Sequence, residues 1–119
     1  MKTVLAIDDN IQQLNEFKSM LSSKYDLRAV KSAAEAVIFL NKDTADIILL
    51  DIEMPNISGF IFLDDIKKIP SYFDVPIIIV SGNNGTEFLE KAKNSCASEV
   101  LIKPVKQETL ISAIEKSLS

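Results

Sequence analysis

Asp8, Asp9, Asp51, Ser81 and Lys103 stand where four apolar runs stop: TVLAI, DIILL, PIIIV and EVLI. If those runs are parallel strands of one open sheet, their carboxyl ends converge on one crevice, where such sheets bind ligands. Three carboxylates would then face one hydroxyl and one ammonium. Like charges at close range raise the energy of the ionised forms unless a cation or a proton relieves them. A hard divalent cation with oxygen ligands is the natural relief, and a lysine beside it suits a phosphoryl guest. An aspartate on a rigid strand end can act as a carboxylate nucleophile toward phosphorus. Asp51 fits that role, since Pro55 and Gly59 hold the loop after it to a defined path; the plainer alternative is a turn aspartate that binds loop amides. Asp9 or Asn10 could cap a helix, but one cap does not account for two adjacent carboxylates. Ser81 could simply close a turn, and Pro104 could simply end a strand. At neighbouring strand ends, however, the hydroxyl can donate to one phosphoryl oxygen while the Lys103 ammonium neutralises another.

The elements that must position these residues follow from period. Strands are predicted over 3–8 (β1), 26–30 (β2), 46–51 (β3), 76–81 (β4) and 99–103 (β5). Helices are predicted over 10–23 (α1), 32–42 (α2), 59 to about 69 (α3), 86–94 (α4) and 106–118 (α5). On α1, Ile11, Leu14, Phe17 and Leu21 share one face, and Ser32 with Glu35 is a capping-box signature opening α2. Strict β-α alternation implies a parallel sheet with right-handed crossovers and helices on both faces. The unbroken runs in β3 and β4 suit interior strands, whereas charges in β2 and β5 suit edges. The expected fold is therefore a (βα)5 flavodoxin-like, doubly wound five-stranded sheet of order 2-1-3-4-5, as one domain over residues 1–119.

Composition excludes several classes. The 119 residues are 47% hydrophobic and 25% charged, as in an ordinary globular domain. A net charge of −4 with no basic run argues against a nucleic-acid surface. The absence of histidine removes imidazole acid–base chemistry and imidazole metal ligands. The one cysteine, Cys96, fits a reducing, cytoplasmic setting and reads as a small apolar residue near β5. Asp8 and Asp9 interrupt the apolar start too early for a signal sequence, and no run approaches membrane-spanning length.

As a set, these motifs resemble the receiver domain of bacterial two-component response regulators. The matching segments are Asp8-Asp9, Asp51 within Asp-Ile-Glu-Met-Pro-Asn-Ile-Ser-Gly, Ser81-Gly82 and Lys103-Pro104, and the likeness runs from β1 to α5. The resemblance implies that Asp51 accepts a phosphoryl group from a histidine kinase or phosphotransfer protein. It implies Mg²⁺ held by Asp9, Asp51 and the Glu53 backbone carbonyl, with Asp8 helping through water. Ser81 and Lys103 would contact the phosphoryl group, with a cis bond to Pro104, and a downstream effector would dock on the α4-β5-α5 face. Catalysis would be confined to the domain's own phosphorylation and dephosphorylation. Glu53 and Asn83 fall at positions that tune phosphoryl lifetime in the family.

Two departures stand out. Val100 replaces the aromatic residue usual three positions before the lysine, which implies a switch that is weaker or that relies on loop and helix shifts. Val105 stands where phenylalanine is common, a packing variant. Two rival readings use the same residues: a phosphorylation-independent interaction module, for which Val100 speaks mildly while retention of all five site residues speaks against it, and a Mg²⁺-dependent phosphatase or nuclease. Against the second, the nucleophile candidate follows the third strand rather than the first. Ile61 and Phe62 widen the apolar band of α3 and are expected to pack under neighbouring loops.

Overall fold

The computed structural model describes residues 1–55 and 57–119. Five strands, β1 (Thr3–Ile7), β2 (Asp26–Val30), β3 (Ile47–Asp51), β4 (Ile77–Ser81) and β5 (Glu99–Ile102), alternate with five helices. The helices are α1 (Ile11–Leu21), α2 (Ala33–Lys42), α3 (Gly59–Lys68), α4 (Thr86–Lys93) and α5 (Gln107–Leu118). All strand pairs are parallel and the order is β2-β1-β3-β4-β5, so the charged strands are the edges, as expected.

Alternate strand residues feed two cores. Val4, Ala6, Ile47, Leu49, Ile78 and Val80 meet Leu14, Phe17 and Leu21 of α1 and Leu110, Ala113 and Ile114 of α5. Leu5, Ile7, Ile48, Leu50, Ile77 and Ile79 meet Ala36 and Leu40 of α2, Leu63 and Ile66 of α3, and Ala92 of α4. With both faces covered, β3 and β4 are buried at every position, which their continuous apolar sequences require.

Helix ends follow local chemistry. Asn10 caps α1, its Oδ1 accepting from the Gln13 N–H at 3.2 Å. The Ser32 hydroxyl accepts from the Glu35 N–H, while Glu35 reaches back to the Lys31 N–H rather than to that of Ser32. Gly59 is required for a different reason: a Cβ there would lie 2.6 Å from the Ile52 Cα, because α3 starts against the chain leaving β3. Gly59→Ala should therefore cost about 2 kcal/mol, as overpacking into fixed backbone does. Thermal melting checks this, and an unchanged midpoint would refute it.

Three expectations need correction, and one element is unanticipated. Ile11 is 58% exposed rather than part of the buried α1 face; at 3.6 residues per turn that face centres on Gln13, Leu14, Phe17 and Leu21, which leaves Ile11 on its flank. Ile61 is 62% exposed, whereas Phe62 does pack against the core. Cys96 is exposed in the turn before β5, its thiol 3.6 Å from Asp64. A 3-10 turn at Pro70–Tyr72, absent from the period reading, plants Tyr72 in the core with its hydroxyl donating to the Asp43 carbonyl at 2.7 Å.

Candidate functional site

Strand register assembles the site. Ile7 lies opposite Leu50, so Asp8 comes beside Asp51, and Ser81 lies opposite Ile102, one residue before Lys103. One carboxylate oxygen each from Asp8, Asp9 and Asp51 lies within 4.8 Å of the others. Asp8 and Asp51 are buried and Asp9 is exposed at the rim. The set is all oxygen, compact, and open to solvent on one side, which fits a small hard divalent cation that keeps part of its water shell.

Lys103 supplies the facing positive charge. Its Nζ donates to Asp8 Oδ2 at 2.9 Å and to Asp51 Oδ2 at 3.5 Å, and its backbone N–H extends the ladder to the Ser81 carbonyl at 2.8 Å. The Lys103–Pro104 peptide is cis, in agreement with the resemblance, and Pro104 is exposed. Asp8 is pinned further by the Asn10 N–H on Oδ1 at 2.9 Å. Burial pushes the Asp51 carboxyl above its ordinary range. The Glu53 N–H opposes this by donating to Oδ1 at 3.0 Å, the Asp8 charge adds to it, and Lys103 again opposes. For Lys103, burial favours the neutral amine, but the bond to Asp8 and the charge of Asp51 outweigh it and its pKa rises. A buried carboxylate of raised pKa beside a specific charge partner at the mouth of a crevice makes this a candidate functional site.

Ser81 is fully buried at the end of β4. Its Oγ donates to Glu53 Oε1 at 2.8 Å and accepts from the Asn83 N–H at 3.0 Å, and Asn83 Oδ1 accepts from the Gly85 N–H at 2.8 Å. The Glu53 side chain is thus tied to Ser81, a contact that the sequence does not reveal: there Glu53 enters through its carbonyl and as a lifetime position. No local signal announces the pair, which is 28 residues apart. Val100 is half-buried on β5 and, with Thr86, Leu89, Glu90 and Lys93, lines a cavity of about 350 Å³ between β5 and α4.

The family model described as response regulator receiver domain matches residues 4–115. The chain belongs to that family. This receiver is 31% identical over 106 residues to a two-component response regulator of Oryza sativa subsp. japonica, covering 87% of each chain. It is 34% identical over 110 residues to a response regulator of Arabidopsis thaliana, covering 90% of this chain and 26% of that one. The receiver therefore spans most of one relative and about a quarter of the other. Among solved structures it is similar to chemotaxis protein CheY4 of Vibrio cholerae, with a TM-score of 0.91 at 28% identity and 99% of each chain covered. The receiver is a module of two-component signalling, and its family binds Mg²⁺ in an acidic pocket like the one formed by Asp8, Asp9 and Asp51. Among the described residues, no helix is long and apolar enough to cross a membrane.

Proposed function

We propose that residues 1–119 form one cytoplasmic receiver that takes a phosphoryl group from a phosphohistidine on a histidine kinase or phosphotransfer protein onto Asp51. The observation that carries this reading is the convergence of three carboxylates with Lys103 bound to two of them. An Asp51 carboxylate oxygen attacks phosphorus in line as the P–N bond breaks, and the departing imidazole nitrogen keeps the electron pair. Asp9, Asp51 and the Glu53 carbonyl would hold Mg²⁺, with Asp8 acting through water. Bound there, the ion would neutralise charge on the transferring oxygens. The Lys103 ammonium, already at Asp51, neutralises a second oxygen, and Ser81 donates to a third. Water attacking the same phosphorus would return Asp51 slowly to its carboxylate. Output passes through the α4-β5-α5 face, where Val100 has no ring to swing and the β4-α4 loop around Asn83 carries the change. Burial of Asp51 supports the phosphoacceptor role, because a desolvated carboxylate is a better nucleophile than a hydrated one.

Intact-mass measurement after incubation with acetyl phosphate tests this. Wild type with Mg²⁺ should gain one phosphoryl group, and neither Mg²⁺-free protein nor Asp51→Asn should. An adduct that survives in Asp51→Asn would reject the assignment.

A further inference from the structure

We infer that the Glu53 carboxylate is a positioning residue that holds the single hydroxyl proton of Ser81, so that Ser81 can reach a phosphoryl group on Asp51 only when Glu53 releases it. The inference rests on the phosphoacceptor reading above and adds a competitor for the donor that reading uses. A serine hydroxyl has one proton to donate. Here that proton is committed to Glu53 Oε1 at 2.8 Å, while the Asn83 N–H occupies an acceptor position on the same oxygen at 3.0 Å. Ser81 has no exposed surface, so water does not compete for it. A phosphoryl group on Asp51 and the Glu53 carboxylate are thus two anions contending for one donor.

Release is feasible because the two halves of Glu53 are held differently. Its N–H is anchored on Asp51 Oδ1 at 3.0 Å, whereas the residue is otherwise exposed. The side chain can swing into water, where the carboxylate is solvated, without moving the loop backbone. A phosphoryl group carries negative charge toward the same mouth, and like-charge repulsion favours that swing. The bond therefore opposes the phosphoryl-bound arrangement and yields to it.

The test is a double-mutant cycle read by calorimetric titration of beryllofluoride, a phosphoryl mimic, in the presence of Mg²⁺. Wild type, Glu53→Ala, Ser81→Ala and the double variant are compared. Removing Glu53 also removes a charge, and that effect is the same whether or not Ser81 is present. With Ser81 present, Glu53→Ala should tighten binding by about fivefold more than it does in Ser81→Ala, the size of one net hydrogen bond. Glu53→Gln, which keeps an acceptor at the same atom without the charge, should fall between. Equal factors in the two serine backgrounds would overturn the role of Glu53 and leave the phosphoacceptor reading standing. Failure of wild type itself to bind beryllofluoride would overturn both.

Discussion

Lys103→Ala is expected to destabilise the protein by about 3 kcal/mol in Mg²⁺-free buffer, the low end for breaking a buried ion pair because the lysine is partly exposed. At roughly 4 °C per kcal/mol for a domain of this size, the melting midpoint should fall by about 12 °C. The loss comes from what stays behind. Asp8 is 1% exposed and Asp51 6% exposed, and without the ammonium two buried carboxylates face each other. Mg²⁺ should restore part of the difference by supplying the missing positive charge, and it should help the variant more than wild type. The pH dependence has a definite sign. The Lys103 pKa is raised by folding, so its stabilisation is fully present at neutral pH and is lost only as pH rises through the folded-state value, in the alkaline range. The gap between wild type and variant should hold through neutrality and close in strong alkali. It should also narrow in acid, as protonation of Asp51, whose pKa burial raises, removes one of the facing charges. Denaturant melts across pH measure this, and a variant as stable as wild type at pH 7 without Mg²⁺ would refute it.

Asp51→Asn should do the opposite in the same buffer, raising stability by about 1 kcal/mol, as removal of a poorly solvated charge does. Burial raises the Asp51 pKa in the folded state. The native protein therefore binds this proton more tightly than the unfolded chain, and holding Asp51 ionised at neutral pH costs stability. Wild type should accordingly recover ground relative to Asp51→Asn as pH falls through the folded value toward the unfolded one. Mg²⁺ reverses the ranking. An ion that binds only the native state at a hundred times its Kd adds about 2.7 kcal/mol. Wild type should gain that much, and the variant, short of one carboxylate of three, far less. Differential scanning calorimetry of both proteins with and without Mg²⁺ decides it. Equal Mg²⁺ shifts would remove Asp51 from the proposed cation site, and a less stable variant without Mg²⁺ would contradict the burial argument.

Much of this molecule is legible in its residues because the signals are local. The apolar runs of β3 and β4 suit strands covered on both faces, and the charges of β2 and β5 suit edges, and both are found there. The caps of α1 and α2 depend on residues three apart and are found where their sequence places them. Ile11 misleads for an equally physical reason. Its spacing of three from Leu14 suggests the apolar face, but the buried face centres on Gln13, Leu14, Phe17 and Leu21, and at 3.6 residues per turn Ile11 falls on the flank of that face. Tyr72 escapes notice because a single 3-10 turn after Pro70 has no period to detect.

That Asp8, Asp9, Asp51, Ser81 and Lys103 would gather follows from the chain's residues alone, because parallel strands share a direction and their carboxyl ends must lie along one edge. Which group holds which within that edge is fixed by packing. That Lys103 binds Asp8 more closely than Asp51, that Glu53 takes the Ser81 proton, and that α3 leaves no room for a side chain at Gly59 all depend on how separate loops meet. These contacts join residues 95, 52 and 28 positions apart, or backbone against backbone, and no local propensity encodes them. They are set by the register of the sheet and the seating of its helices, which exist only once the whole chain has packed.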